Sequence, residues 1–134
     1  MRHLIVDGAN VVGSRPDGWW HDRPAAARRL ADRLVGADRS QLAGLAGDPS
    51  SELMVHLVLE GAAKQARGLL PVAPELAVVL APADGDAAIA ELAASLSGEP
   101  VVVVTADRAL RDRVHATGAT VVGPGRLLKL LPGG

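Results

Sequence analysis

Five short runs of aliphatic residues constrain the fold of this chain more than any other feature. Each run has four to seven residues and is rich in valine, leucine or isoleucine. Most of the runs are continuous rather than alternating, which is typical of strands buried on both faces of a parallel sheet. The predicted strands are 3–7, 53–59, 76–81, 101–105 and 119–122.

Helical patterns separate these strands, so strands and helices alternate along the chain. This alternation predicts an α/β fold with right-handed crossovers, and 134 residues correspond to a single domain over 1–134. Three segments rich in glycine, proline and aspartate are expected to be mobile. The helix predicted over 24–35 could instead continue into the second of these segments, 36–51. The predicted helices are 24–35, 61–68, 86–96, 107–117 and 124–131, and the mobile segments are 13–23, 36–51 and 68–74.

Composition excludes several classes of protein. The absence of cysteine excludes a disulfide scaffold, a thiolate zinc site and a cysteine nucleophile. No serine lies in a G-x-S-x-G motif, and no glycine-rich phosphate loop is complete. A charge interrupts the first apolar run, and no run approaches the roughly 18 residues of a membrane span. A cytoplasmic protein without a membrane partner is therefore expected.

Four consecutive predicted strands each end on an acidic residue or just before one. Carboxyl ends of parallel strands face one crevice in open α/β sheets, so these side chains are expected to converge. Converging carboxylates repel one another unless a cation lies between them, and oxygen ligands suit Mg²⁺ or Mn²⁺. The predicted metal ligands are Asp7, Glu60, Asp84, Asp86 and Asp107.

Three segments carry a resemblance to a known family. VDGAN at 6–10, VVVTADRALRDRV at 102–114, and the helix start GD-A-A-I between them resemble the NYN branch of the PIN-like nucleases, and its YacP-like members most closely. The resemblance spans residues 3 to about 128. It implies a three-layer α/β/α domain with a mostly parallel five-stranded sheet in the order 3-2-1-4-5.

The resemblance also implies a metal-dependent endoribonuclease that cleaves single-stranded or structured RNA. It gives metal-ligand or catalytic roles to Asp7, Asp86 and Asp107, and Asn10 would orient an acid or a bound water. Many relatives have a second aspartate where this chain has Ala87, and Asp84 could replace it.

Positive charge is available for RNA once the acid cluster is set aside. Although the formal net charge is −1, removing the five acids leaves ten acidic against fourteen basic residues. Arginines near the crevice could contact phosphates, and a tryptophan at its lip could stack on a base. The predicted RNA-binding residues are Arg15, Trp20, Arg23, Arg108 and Arg111.

Several alternatives remain open at this stage. Asp86 and Asp107 could simply cap helices, and Asp7 with Asn10 could form an Asx turn. The same fold could be a catalytically inactive module that binds RNA or protein, or a nucleotide phosphohydrolase. Apolar helix faces could form a homodimer. Five further side chains are expected to be structural or solvated: His3, His56, Arg28, Arg29 and Arg33.

Overall fold

A five-stranded sheet forms the middle layer of the molecule, for which a computed structural model describes residues 1–133. The strands are β1 (Arg2–Asp7), β2 (Leu53–Leu59), β3 (Leu76–Leu80), β4 (Val101–Val104) and β5 (Thr120–Val122). Their order in the sheet is β3-β2-β1-β4-β5, and every neighbouring pair is parallel. The predicted fold class and strand order are thus confirmed.

Helices make the crossovers between the strands. The α-helices are α1 (Gly8–Gly13), α2 (Arg23–Gly36), α3 (Arg39–Leu45), α4 (Gly85–Ser95), α5 (Arg108–His115) and α6 (Pro124–Leu128). Two 3-10 helices span Trp19–His21 and Gly61–Gly68. Across residues 1–133, no helix is long and apolar enough to cross a membrane.

The helices lie on both faces of the sheet and form two apolar layers. Leu4 and Val6 of β1 pack in a core with α1, α2, α3 and α6. Ile5 of β1 and Val103 of β4 face the opposite layer, where α4 and α5 supply the covering side chains. Burial on both faces explains why the strands are continuous aliphatic runs rather than alternating ones.

The segment after α2 differs from the prediction of a mobile connection over 36–51. Here α2 ends at Gly36 and a separate helix, α3, begins at Arg39. Asp38 caps this helix, because its carboxylate accepts hydrogen bonds from the backbone N–H groups of Ser40 and Gln41. Leu42 then enters the core, so burial stabilises a segment whose glycine content favours a loop.

Helix α1 was not predicted, although the VDGAN motif contains its beginning. Asp7 caps the helix by accepting a hydrogen bond from the Asn10 N–H. Gly8 packs directly on β2, since a Cβ atom at this position would lie 2.6 Å from the Val58 carbonyl oxygen. The motif thus turns the chain sharply at the end of β1 and keeps Asp7 at the edge of the sheet.

Candidate active site

Four strand ends bring acidic side chains to one edge of the sheet. Asp7 is the last residue of β1, and Glu60 directly follows β2. The loop after β3 leads into α4, and Asp107 precedes α5 after β4. We call the five side chains the acid cluster; its members are Asp7, Glu60, Asp84, Asp86 and Asp107.

Asp7 is the most deeply buried acid of this cluster, with 5% of its surface exposed. Burial raises the pKa of its carboxyl group, and the nearby charges of Asp86 and Glu60 raise it further. Two hydrogen bonds oppose this effect: the Thr105 hydroxyl donates to Oδ2 at 2.9 Å, and the Asn10 N–H donates to Oδ1 at 3.3 Å. Asp7 is therefore held in one orientation by partners on two elements.

Thr105 is a site residue that the sequence analysis missed. Its side chain is buried, and its Oγ1 also accepts a hydrogen bond from the Asp107 N–H at 3.2 Å. The Thr105 hydroxyl therefore connects Asp7 of β1 with Asp107, the residue that caps α5. The sequence gives a weak signal, a polar residue at the end of an aliphatic strand, and such residues are common.

Asn10 joins α1 to the loop between β4 and α5. Its side-chain oxygen accepts a hydrogen bond from the Ala106 N–H at 2.8 Å. The predicted role, in which Asn10 orients an acid or a bound water, stays a prediction. The contact instead gives Asn10 a positioning role, because it fixes the loop that carries Thr105 and Asp107.

Asp86 lies in the first turn of α4, and four neighbouring charges act on it. Burial is the main cause that raises the pKa of its carboxyl group. Asp107, Asp84 and Glu60 raise it further, whereas Arg113 lowers it. Asp86 is thus surrounded by more negative than positive charge, which is the arrangement that a bound cation relieves.

The other three acids form helix caps or loop contacts. Asp84 accepts from the Ala87 N–H at 2.7 Å, and Asp107 accepts from the Leu110 N–H at 3.0 Å. Glu60 Oε2 accepts from the N–H of Gly85 at 2.9 Å.

These contacts use only part of each carboxylate, which offers about four lone-pair positions. The acids can therefore cap helices and still offer oxygen atoms to a ligand. As they are placed here, no three Asp, Glu or His side chains within residues 1–133 are close enough to hold a metal ion together.

The tryptophan turn, which comprises Trp19–His21, lies beside the cluster. Trp20 is 51% exposed and packs edge-on against Trp19, with ring centroids 5.9 Å apart. The Arg23 guanidinium lies 5.3 Å from the centroid of the Trp19 ring. Trp19 lines the cavity next to Glu60, whereas Trp20 does not line it, and the predicted contact of Trp20 with RNA stays a prediction.

Arginines occupy two surfaces near the site. Arg108 and Arg111 are exposed on α5, and Arg111 lies 3.9 Å from Asp112. On the other side, a small cavity between α1 and α2 is lined by Arg15, Arg29 and Arg33 together with Asp17.

The second arginine surface was expected to be a solvated helix face. Burial and the neighbouring Arg15 lower the pKa of the Arg33 guanidinium. Its Nε donates to the Pro132 carbonyl at 3.0 Å, while within residues 1–133 its Nη2 is buried without a hydrogen-bond partner. Such a set of guanidinium groups is suited to an anion.

Comparison with known proteins supports the fold at low sequence identity. No family model matches the chain, and a search of curated proteins found no match. The structure is similar to crystal structures of Rae1 (YacP) from Bacillus subtilis, at 20% identity and a TM-score of 0.71. That match covers 96% of this chain and 72% of Rae1. A tryptophan-to-leucine variant of Rae1 matches with a TM-score of 0.68, over 96% of this chain and 74% of that one.

Proposed function

We propose that residues 1–134 form a single PIN-like domain that cleaves RNA as a divalent-metal-dependent endoribonuclease. The observation that carries this proposal is the convergence of the acid cluster at the carboxyl ends of the strands. The charges of Asp86 and Glu60 contribute to the raised pKa of Asp7, and the charges of Asp107, Asp84 and Glu60 contribute to the raised pKa of Asp86. The resemblance of the VDGAN and TADR segments to PIN-like nucleases, and the fold shared with YacP, support the same function.

The cluster fits Mg²⁺ or Mn²⁺ in the chemistry of its ligands. All of its side chains offer carboxylate oxygens, which these ions prefer. Asp7, Asp86 and Asp107 would hold the ion, with Glu60 and Asp84 as further ligands, after these side chains move closer together than they lie in this structure. A bound divalent ion would supply a more acidic water and charge stabilisation for a phosphodiester.

The chain itself would orient the acids and the RNA. Thr105 and the Asn10 N–H hold the Asp7 carboxylate, and the Asn10 side chain holds the loop before Asp107. Arginines on both sides of the cluster would contact phosphates, which position RNA without reading its sequence. The RNA-contacting residues in this proposal are Arg15, Trp20, Arg23, Arg108 and Arg111.

Cleavage of an end-labelled single-stranded RNA tests the proposal. Wild type, Asp7→Asn and Asp32→Asn are compared with Mn²⁺, with Mg²⁺ and with EDTA; Asp32 is an exposed acid of α2 and serves as the matched control. We expect metal-dependent cleavage by wild type and Asp32→Asn, and its loss in folded Asp7→Asn. Equal cleavage by all three proteins, or cleavage in EDTA, would contradict the proposal.

A second candidate is a module on the same fold that binds RNA or protein without cleaving it. The hydrogen bonds that commit Asp84, Asp107 and Glu60 to local backbone N–H groups favour it. Ala87, where relatives have aspartate, removes one carboxylate from the cluster. A folded wild type that binds RNA but cleaves nothing in any metal would support this candidate.

A further inference from the structure

A cavity of about 330 Å³ adjoins the acid cluster, and Glu60 belongs to both. It lies among α1, the tryptophan turn, α2 and the 3-10 helix that follows β2. Its volume is at the lower end of the roughly 300–1,000 Å³ range of small-molecule sites. Its lining is mainly apolar apart from Glu60 and Arg23; it includes Gly8, Val12, Trp19, Arg23, Glu60 and Ala63.

An aromatic ring forms one side of this cavity. Trp19 is held between two neighbours, since Trp20 packs edge-on against it and Arg23 lies over its ring. A ring fixed in this way loses little freedom when a ligand stacks on it. Stacking of bases on aromatic side chains is a main source of affinity in proteins that bind single strands.

A fixed hydrogen-bond acceptor lies at the same cavity. The Gly85 N–H donates to Glu60 Oε2 at 2.9 Å and so orients the carboxylate. Gly85 also allows this approach, since a Cβ atom there would lie only 3.3 Å from Glu60 Cδ. A carboxylate that accepts one hydrogen bond retains positions for further donors.

We propose that this cavity binds one nucleobase of the RNA, with Trp19 stacking on the base and Glu60 accepting from its edge. Guanine is preferred, because its N1–H and N2 amino group are adjacent donors that a carboxylate can accept together. Uracil offers a single N–H donor between two carbonyl oxygens, and the Glu60 carboxylate repels these two oxygens. The choice of RNA as the ligand rests on the function proposed above.

Intrinsic fluorescence tests the subsite directly. The sequence has two tryptophans and no tyrosine or phenylalanine, so the wild-type emission comes from Trp19 and Trp20 alone, and Trp20 is kept because it packs against Trp19. The nucleotides GMP and UMP are titrated in EDTA, so that no cleavage is needed. We expect saturable quenching by GMP, about tenfold tighter than by UMP.

Variants of Glu60 and Trp19 test the two recognition elements separately. Glu60→Gln should bring the GMP and UMP affinities to within about twofold of each other, since an amide both donates and accepts. Glu91→Gln, an exposed position on α4, should keep the tenfold preference. Calorimetric titration of wild type and Trp19→Leu should show GMP binding in the first protein and its loss in the second.

The outcomes separate this inference from the proposed function. Calorimetry that detects no GMP binding to wild type, or equal affinities for GMP and UMP, would overturn the subsite even if the protein cleaves RNA. GMP binding that depends on Trp19 and Glu60 in a protein that cleaves nothing would support the subsite and count against the nuclease.

Discussion

The Thr105 hydroxyl donates to Asp7 Oδ2 at 2.9 Å and at the same time accepts from the Asp107 N–H at 3.2 Å. This side chain therefore links the ends of two neighbouring strands, β1 and β4. Because Asp7 is buried, its carboxylate depends on protein donors rather than on water for its orientation. Thr105 consequently acts as a positioning residue for two members of the acid cluster.

Replacing Thr105 should weaken the site through Asp7. Thr105→Val keeps the shape but removes the hydroxyl, so we expect a loss of about 10–100-fold in Mn²⁺ affinity or RNA cleavage. Thr105→Ser keeps the hydroxyl and should stay close to wild type. Calorimetric titration with Mn²⁺ and the cleavage assay measure the two effects. A Val variant that matches the Ser variant in both would show that the hydroxyl has no such role.

Neutralising Asp7 should not destabilise the metal-free protein. Burial raises the folded-state pKa of this carboxyl group, so its contribution to stability is present below the unfolded pKa and is lost as pH rises through the folded value. At pH 7 in EDTA, Asp7→Asn should therefore be at least as stable as wild type. Urea unfolding measures this difference. A clear loss of stability would mean that the charged carboxylate stabilises the fold.

Much of the fold could be predicted because strands and long helices have repeating apolar patterns. The continuous runs of β1 and β4 indicated burial on both faces, and the structure has two apolar layers there. Strand order came from the resemblance rather than from periodicity. Helix α1 could not be found in this way, because six residues with two glycines have little helical preference and the helix depends on packing against β2.

Parts of the candidate site also depended on tertiary contacts. The positions of acids after strands indicated where the acid cluster would form, since parallel strands end at one edge. The sequence could not distinguish Trp19 from Trp20, because adjacent residues in a short turn differ only in the surfaces that they meet. The sequence indicated a solvated helix face for Arg29 and Arg33. In the structure, Arg15 lines the same small cavity as these two residues.

The histidine pair at the opposite end of the sheet should make stability depend on pH. His3 Nδ1 lies 2.9 Å from His56 Nε2, and His3 Nε2 lies 3.2 Å from a carboxylate oxygen of Glu99. Burial, together with the charge of His3, lowers the pKa of His56 from 6.5 to about 4. As the pH falls from 6.5 to about 4, His56 therefore takes up a proton in the unfolded chain but not in the folded protein.

Stability should consequently fall as pH decreases from 6.5 toward 4, by an amount on the order of 2–3 kcal/mol. His56→Gln removes the titrating group and should show a smaller loss over this range. His115→Gln changes an exposed histidine of α5 and should follow wild type. Denaturant unfolding at several pH values measures the three curves. Parallel curves for wild type and His56→Gln would exclude His56 as the source.

Arg29 and its neighbour Arg28 offer a matched test of the second arginine surface. Both side chains are exposed on α2, but only Arg29 borders the small cavity that Arg15 and Arg33 also line. If this surface contacts an RNA phosphate, Arg29→Ala should weaken binding and reduce the slope of log affinity against log salt by about 0.7, the value for one single-strand contact. Arg28→Ala should leave the slope unchanged. Binding of a single-stranded RNA in EDTA across a range of salt concentrations measures both slopes, and equal slopes for the two variants would show that RNA does not cross this cavity.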